Sequence, residues 1–314
     1  MVMPLQDPVQ QEQSMSTSER ILVYLANGVQ GGAVAREAAR RGFAVTALVR
    51  DAASSTALAR LGIDLAQGDL ADAASLQAAH AGASAVVLQV PIGPPDMVCR
   101  LAENAVAAAR DAHARVILKL ASASRPAPCV EPSFVANAAI EAMVRSSGLP
   151  CAILRPTMYL DNLLKPGVRQ EVANGVFQVP INASQRIAWT SADDCAAAAL
   201  TLIENKAYGG NHLISGPDSV TGPELVAALS RGLGRQVAYR GESLEAFERE
   251  VDAAMGSGMG KRVASKFRFF QTHRDEADAI LAPAYLDQPG LEGFRPTSIE
   301  TWARMHGHAF GDAT

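Results

Sequence analysis

Six short apolar runs recur through the first half of the chain with helix-like stretches between them, and this alternation constrains the fold more than any other feature. The runs are ILVYLA from Ile21, FAVTALV after Gly42, IDLAQ after Gly62, SAVVLQV after Gly82, RVILKLA after Ala114 and CAILRP after Pro150. A strand buried on both faces is apolar throughout, and one followed by a helix returns in parallel through a right-handed crossover. The expected fold class is therefore α/β, a doubly wound parallel sheet with helices on both faces. Alanine fills the intervening stretches and aromatic residues make up only 5% of the chain, which suits helices lying close on a sheet.

After Pro156 the rhythm loosens, as Pro166, Gly167, Gly175 and Pro180 cut the chain into short pieces. A second, smaller α/β region is expected from here. RIAWTSADDCAAAALTLIE reads as a short strand entering an acidic-started helix through Thr190 and Ser191, and Asp193 and Asp194 then read as cap residues. NHLISG reads as one more strand, TGPELVAALSRGLG as a helix with Thr221 as N-cap and Gly232 or Gly234 as stop, and QVAYR as a strand of the smaller region. MGSGMGK reads as a mobile loop, FRFF with Met255 and Met259 as core or as an apolar lid, and a last helix starts at Ser298. The expected boundaries are a disordered Gln/Ser/Pro-rich leader over 1–18, with Met15 as a second potential start, and a nucleotide-binding domain over 19–160 to which 186–217 return. A substrate region comprises 161–185 and 218–314.

A formal net charge of −4 and a pI near 5.9 argue against nucleic acid as a partner, because non-specific affinity for it rests on clustered cations. Cys99, Cys129, Cys151 and Cys195 form no CxxC pair and have no histidine at metal spacing, so neither a metal site nor a disulfide framework is expected. No apolar run reaches the roughly 18 residues of a membrane span and the leader lacks a secretory core, which points to the cytoplasm.

The turn after the first run, Leu25-Ala26-Asn27-Gly28-Val29-Gln30-Gly31-Gly32, stands where a dinucleotide fold cradles pyrophosphate against a helix N-terminus. In that pattern the first glycine makes the tight turn, the second admits the phosphate and the third lets helix and strand approach; Leu25 occupies the first place. The plain reading is a strand-to-helix connection. About 20 residues on, Arg50 ends the second run, where a guanidinium can hold a 2′-phosphate through paired hydrogen bonds, which favours NADP(H) over NAD. The competing reading pairs Arg50 with its neighbour Asp51. Asp69, after the third run, reads as an adenine contact or as a helix cap. Lys119, within the fifth run, reads as a buried base, as a snorkelling stem or as the partner of an acid. His273 reads as a residue reaching a cleft, and His80, His113, His306 and His308 as surface or terminal residues.

The segments ILVYLANGVQGGAVAREAARRGFAVTALVRD and QGDLADAASLQAAHAGASAVVL resemble the NmrA-like branch of atypical short-chain dehydrogenases. GLPCAILRPTMYLDNLL, ADDCAAAAL, SGPDSVTGPELVAALSRGLGR and GFRPTSIETWARMHG continue the likeness over residues 20 to 310. The resemblance implies an NADP(H)-binding Rossmann domain, a C-terminal substrate region and a cleft between them. Its members reduce quinones, dyes or conjugated ketones, and some are redox sensors without turnover. Carried over residue by residue, it implies Gly28, Val29, Gln30 and Gly31 at the pyrophosphate, Arg50 at the 2′-phosphate, and Asp69 with Leu70 at the adenine. Gln89, Val90 and Pro91 would flank the dinucleotide, and Ser122, Pro156 and Tyr159 would face the nicotinamide. Asn162 matches a position common in the group. Asn137 stands where many reductases place histidine or lysine.

Ordinary short-chain enzymes activate a carbonyl with a tyrosine assisted by a lysine four residues on. Tyr24, Tyr159, Tyr208, Tyr239 and Tyr285 are followed at that spacing by Gly28, Leu163, His212, Ser243 and Pro289. The expected reaction is therefore hydride transfer from NADPH to a small planar conjugated acceptor, such as a quinone, a dye or an enone, without such a pair. Tyr159, Asn137 and Ser122 are the candidate catalytic residues, hydrogen-bonding to the acceptor or orienting the carboxamide. Two other classes remain: a sensor of NADP that binds a partner protein, and a lyase or isomerase using the same cleft. A homodimer is expected on the resemblance alone.

Overall fold

The computed structural model describes residues 19–123 and 131–311. The leader, with Met15, and Cys129 lie outside these residues. The first half runs as β1 (Arg20–Val23), α1 (Val29–Arg40), β2 (Ala44–Val49), α2 (Thr56–Ala59), β3 (Asp64–Gln67), α3 (Ala73–His80), β4 (Ala85–Leu88), α4 (Pro95–Asp111), β5 (Arg115–Lys119), α5 (Pro132–Ser146) and β6 (Cys151–Pro156). Every apolar run of the sequence thus contains a strand. The second half runs as α6 (Pro166–Ala173), β7 (Val176–Val179), β8 (Ile187–Ala188), α7 (Ala192–Glu204), β9 (Asn211–Ile214), β10 (Ser219–Val220), α8 (Gly222–Leu233), β11 (Ala238–Gly241), α9 (Leu244–Met255), α10 (Met259–Thr272), α11 (Arg274–Leu281) and α12 (Ile299–Met305).

Seven strands form one sheet in the order β3-β2-β1-β4-β5-β6-β9, with every pairing parallel. This is a doubly wound, Rossmann-like α/β fold. One face carries α1 and α7 over Val23, Ala47, Val87 and Ile117; the other carries α3, α4 and α5 over Leu22, Val86, Leu118 and Ile153. Alanines at the helix positions, including Ala35, Ala38, Ala102, Ala105, Ala196 and Ala199, let the helices lie close to the strands. The order reverses between β1 and β4, and a parallel sheet binds its ligand in the crevice at such a switch, beyond the strand C-termini.

A third apolar cluster gathers Phe177, Trp189, Leu225, Leu229, Phe269, Phe270 and Trp302 around the two small pairings, β7 with β11 and β8 with β10. Phe134 of α5 belongs to this cluster, so the first turn of α5 joins the two parts. FRFF is accordingly core at Phe269 and Phe270, whose rings meet Phe134, while Met255 is exposed. MGSGMGK is a tight junction whose last glycine is already helical: a Cβ on Gly260 would fall 2.1 Å from Glu248 O, so glycine lets α9 and α10 touch. Thr221 closes a capping box with Glu224, and Gly234 ends α8 in the left-handed conformation. Ser191 caps α7, whereas Asp194 accepts from Thr297 N at 3.0 Å and Thr297 Oγ1 at 2.8 Å, tying the C-terminal segment to the sheet domain. His80 is not a surface residue: it is 1% exposed, donates from Nδ1 to Leu76 O at 2.8 Å and faces the Tyr24 hydroxyl. No helix among the described residues is long and apolar enough to cross a membrane.

Candidate active site at the strand ends

The rim of the switch crevice begins at the β1–α1 turn. Leu25 takes φ +51°, the left-handed conformation usually left to glycine, so the turn forms although the first glycine is missing. A Cβ on Gly31 would lie 2.3 Å from Leu25 O and 2.4 Å from Tyr24 O, so only glycine allows α1 to approach the end of β1 this closely. Gly28 is the N-cap of α1; no side chain caps the helix and its first turn carries no acid. The leading N–H groups of α1 thus have no capping side chain as acceptor, the arrangement that receives a phosphate. These residues fit a dinucleotide. Asn27 Nδ2 donates to Ser55 Oγ at 2.8 Å and so ties the turn to the loop after β2.

Arg50 opens that loop and is exposed. Its neighbour Asp51 is engaged elsewhere, accepting from Ala53 N at 2.9 Å, so the guanidinium is not held by it. Asp69 is exposed at the end of β3 and accepts from Ala71 N at 2.8 Å, while the cap of α3 is Asp72. Leu70 is buried beside it, its carbonyl bonded by Asn104. Gln89 and Val90 are buried and Pro91 half-buried at the end of β4. Val29 at the start of α1 and Ile92 after β4 are 58% and 62% exposed.

Gln30 joins the rim together. Its Nε2 donates to Ala121 O at 3.1 Å, and its Oε1 accepts from Gln89 Nε2 at 3.0 Å and from Lys119 Nζ at 2.5 Å. Lys119 also donates to the Tyr159 hydroxyl at 3.0 Å. A tyrosine–lysine pair is thus present, assembled from the end of β5 and the segment after β6, where a search for neighbours four residues apart cannot find it. The pair is sealed: Lys119 is 1% exposed and Tyr159 4%. Burial brings the Lys119 ammonium down to about 8, against a weaker upward pull from Cys195 and Asp161. Burial also raises the Tyr159 phenol well above its ordinary value, with the neighbouring Cys195 adding to it, and pushes the Cys195 thiol up to about 11. Tyr159 is thereby a poor proton donor at neutral pH. No acid pairs with Lys119 among the described residues; a glutamine and a phenol hold it instead.

Beyond Ala121 the rim continues into Ser122, half-buried. Asn137, on the first turns of α5, has a buried Nδ2 with no hydrogen-bond partner among the described residues. Pro156 closes β6 against Ile214, and the Asn162 amide caps the turn from Tyr159. α5 is fixed over β6 by the buried ion pair of Arg155 with Glu141, Nε to Oε1 at 2.9 Å. Among the described residues no hydrogen bond joins His273 to this rim; its ring stacks on Phe269 and bonds Thr272.

The contact that the sequence does not announce is Lys266. It lies on the apolar stripe Val263, Phe267 and Phe270 of α10, and its Nζ donates to Ser122 Oγ at 2.7 Å and Ala123 O at 2.9 Å, 5.0 Å from the Phe134 ring centre. Burial lowers this ammonium to about 8, with Glu131 pulling the other way. A lysine on an apolar stripe is the one signal that could have singled it out. A separate cleft of about 400 Å³ in the C-terminal region, bounded by Asn182, Glu242 and Arg274 among others, shares no residue with the rim.

The chain matches the model of the NmrA-like family over residues 17–300. It is 29% identical over 232 residues to an NAD(P)H azoreductase of Xenophilus azovorans, covering 72% of this chain and 78% of that one. It is 31% identical over 231 residues to the (4-alkanoyl-5-oxo-2,5-dihydrofuran-3-yl)methyl phosphate reductase of Streptomyces griseus, covering 68% and 76%. Quinone oxidoreductase 2 of Escherichia coli is 30% identical over 203 residues, 63% of this chain and 68% of that one. The crystal structure of that enzyme with NADPH superposes with a TM-score of 0.71 at 22% identity, over 91% of this chain and 99% of the other.

Proposed function

The chain belongs to the NmrA-like family, and from that membership and the geometry of the rim we propose that it is an NADPH-dependent reductase of small, planar, conjugated acceptors such as quinones, azo dyes or enones. The observation that carries this reading is the cradle: Gly31 admits no Cβ, and no side chain caps the start of α1. NADPH, when bound, supplies the hydride. The chain's own part is to hold and orient. The first turn of α1 takes the pyrophosphate, Arg50 the 2′-phosphate, and Asp69 with Leu70 the adenine; Gln89, Val90 and Pro91 flank the dinucleotide. This reading assigns Ser122, Asn137 and Pro156 to the reacting end. Asn137 Nδ2, buried and without a partner among the described residues, is the donor this reading assigns to the carboxamide or an acceptor oxygen. Tyr159 acts from below, fixing Lys119 and through it Gln30.

A flat conjugated acceptor needs positioning more than activation, because the charge it gains is delocalised. Relatives named for azo compounds and quinones support this substrate class. Leu25, which stands where the pattern has its first glycine, keeps the turn by taking the conformation a glycine would take. Stopped-flow mixing of the protein with NADPH and a panel of 1,4-naphthoquinone, an azo dye and an enone tests the reading. Accelerated loss of the reduced-nicotinamide absorbance with at least one acceptor is expected. A flat trace across the panel overturns it.

A further inference from the structure

Among the described residues, Lys119, Tyr159 and Lys266 are ionisable groups bonded to β5 or its continuation, and the first two are sealed. Lys119 and Tyr159 are locked together beneath the β5 and β6 ends. Lys266 is half-buried and comes from the other part of the molecule. Its helix is clamped in place by Phe269 and Phe270 against Phe134, and by Ser265 Oγ donating to Glu131 at 2.7 Å. Ser122, which receives its Nζ, directly follows Ala121, the residue held by Gln30 of the cradle. One ammonium from the C-terminal region therefore touches the strand-end segment at the residue next to the one that Gln30 holds. Two of its three hydrogens go to Ser122 and Ala123, leaving one.

We propose that Lys266 is the proton source of the reduction and that Ser122 relays its proton to the acceptor oxygen; this rests on the reductase reading above. The acceptor gains a hydride from the reduced dinucleotide, two electrons with one hydrogen, and becomes an anion. The Ser122 O–H bond breaks as an O–H bond forms on the acceptor. A Lys266 N–H bond breaks to restore the serine, and the neutral amine takes a proton from water. For a quinone the sum is quinone, NADPH and one proton giving hydroquinone and NADP.

The charges around Lys266 leave it poised rather than locked. Glu131 is the carboxylate acting on it, and that group is occupied as the N-cap of α5 and by Ser265. On α10 itself, Lys261 and Arg262 are exposed and Arg268 pairs with Glu248 of α9. Lys119 points away into Gln30 and Tyr159. With the amine near 8, a substantial share of either form is present at neutral to mildly alkaline pH, the condition an acid catalyst works best in.

The test compares wild type, K266Q, K266R and S122A with 1,4-naphthoquinone over pH 6 to 10, together with NADPH affinity by calorimetry and an NMR titration of the lysine side-chain amines. We expect NADPH affinity within about threefold in all four, and kcat lowered on the order of 100-fold in K266Q and S122A. K266R is expected to stay equally slow, because arginine keeps the charge and does not release the proton. The wild-type rate should fall above pH 8, and the lysine resonance missing from K266Q should titrate there. Recovery of wild-type turnover in K266R would reduce Lys266 to a fixed charge, and full turnover in K266Q or a midpoint above 10 would sink the proposal while the reductase reading stands. A wild type that oxidises no NADPH removes both.

Discussion

At the scale of single residues, the site depends on side chains whose environment sets their charge. Arg50 is exposed and not bonded by Asp51, so its guanidinium is available for a phosphate. Charge-assisted hydrogen bonds of that kind contribute about 1.5 to 3 kcal/mol. Arg50→Ala is therefore expected to weaken NADPH by roughly 10 to 150-fold and to leave NADH within about twofold, as calorimetry would register; equal losses would remove Arg50 from the 2′-phosphate. Lys119 shows the opposite economy. Its ammonium is buried against a glutamine and a phenol, with its folded-state value near 8 and an unfolded value near 10.5. Below pH 8 both states are protonated and the folded state bears the full cost of the buried charge. Between about 8 and 10 the folded form releases the proton first, so the unfolded state binds more protons and stability rises with pH. Above 10 the raised Tyr159 phenol acts in the other direction. Lys119→Met should accordingly stabilise the protein at pH 7 by about 1 to 3 kcal/mol, with the advantage shrinking towards zero near pH 10. Urea unfolding at the two pH values decides it, and a variant destabilised at pH 7 would show that the hydrogen bonds outweigh the desolvation.

At the scale of elements, the junction of β1 with α1 is where sequence and structure agree most usefully. Gly31 cannot gain a methyl group without pushing against two backbone oxygens, whereas a Cβ on Gly28 would meet only Leu25 O, at 3.2 Å. Gly31→Ala should cost about 1 to 3 kcal/mol and weaken NADPH at least tenfold, because α1 must retreat from the strand. Gly28→Ala should cost less in stability, and thermal melts of the pair would expose any reversal of that order. Elements of this kind are legible because each depends on neighbours in sequence: an apolar run makes a strand, Thr221 with Glu224 makes a capping box, and Ser298 opens α12. The pairs that give the site its chemistry are not. Lys119 with Tyr159, Lys266 with Ser122 and Arg155 with Glu141 each join different elements, and no period of 2.0 or 3.6 residues connects them. His80 misled for a related reason: its helix exposes most polar positions, while this one is held inward with its ring between Leu76 O and the Tyr24 hydroxyl.

At the scale of the whole molecule, the two parts are threaded through one another. The chain leaves the sheet after β6, builds the first pieces of the C-terminal region, and comes back to lay β9 beside β6 before departing again. Asp194 with Thr297 and the Phe134 cluster hold the parts together, so Lys266 reaches its serine across a fixed joint. The same threading has a consequence during synthesis. A ribosome working at about 5 to 20 residues per second needs roughly 3 to 10 s to translate the stretch from Pro156 to Asn211. For that interval β6 has no neighbour on its outer side, and its backbone groups offer a ready template to any extended strand nearby. The nascent chain thus passes through a period of vulnerability to aggregation that the finished fold conceals, and it ends when β9 emerges from the exit tunnel and docks.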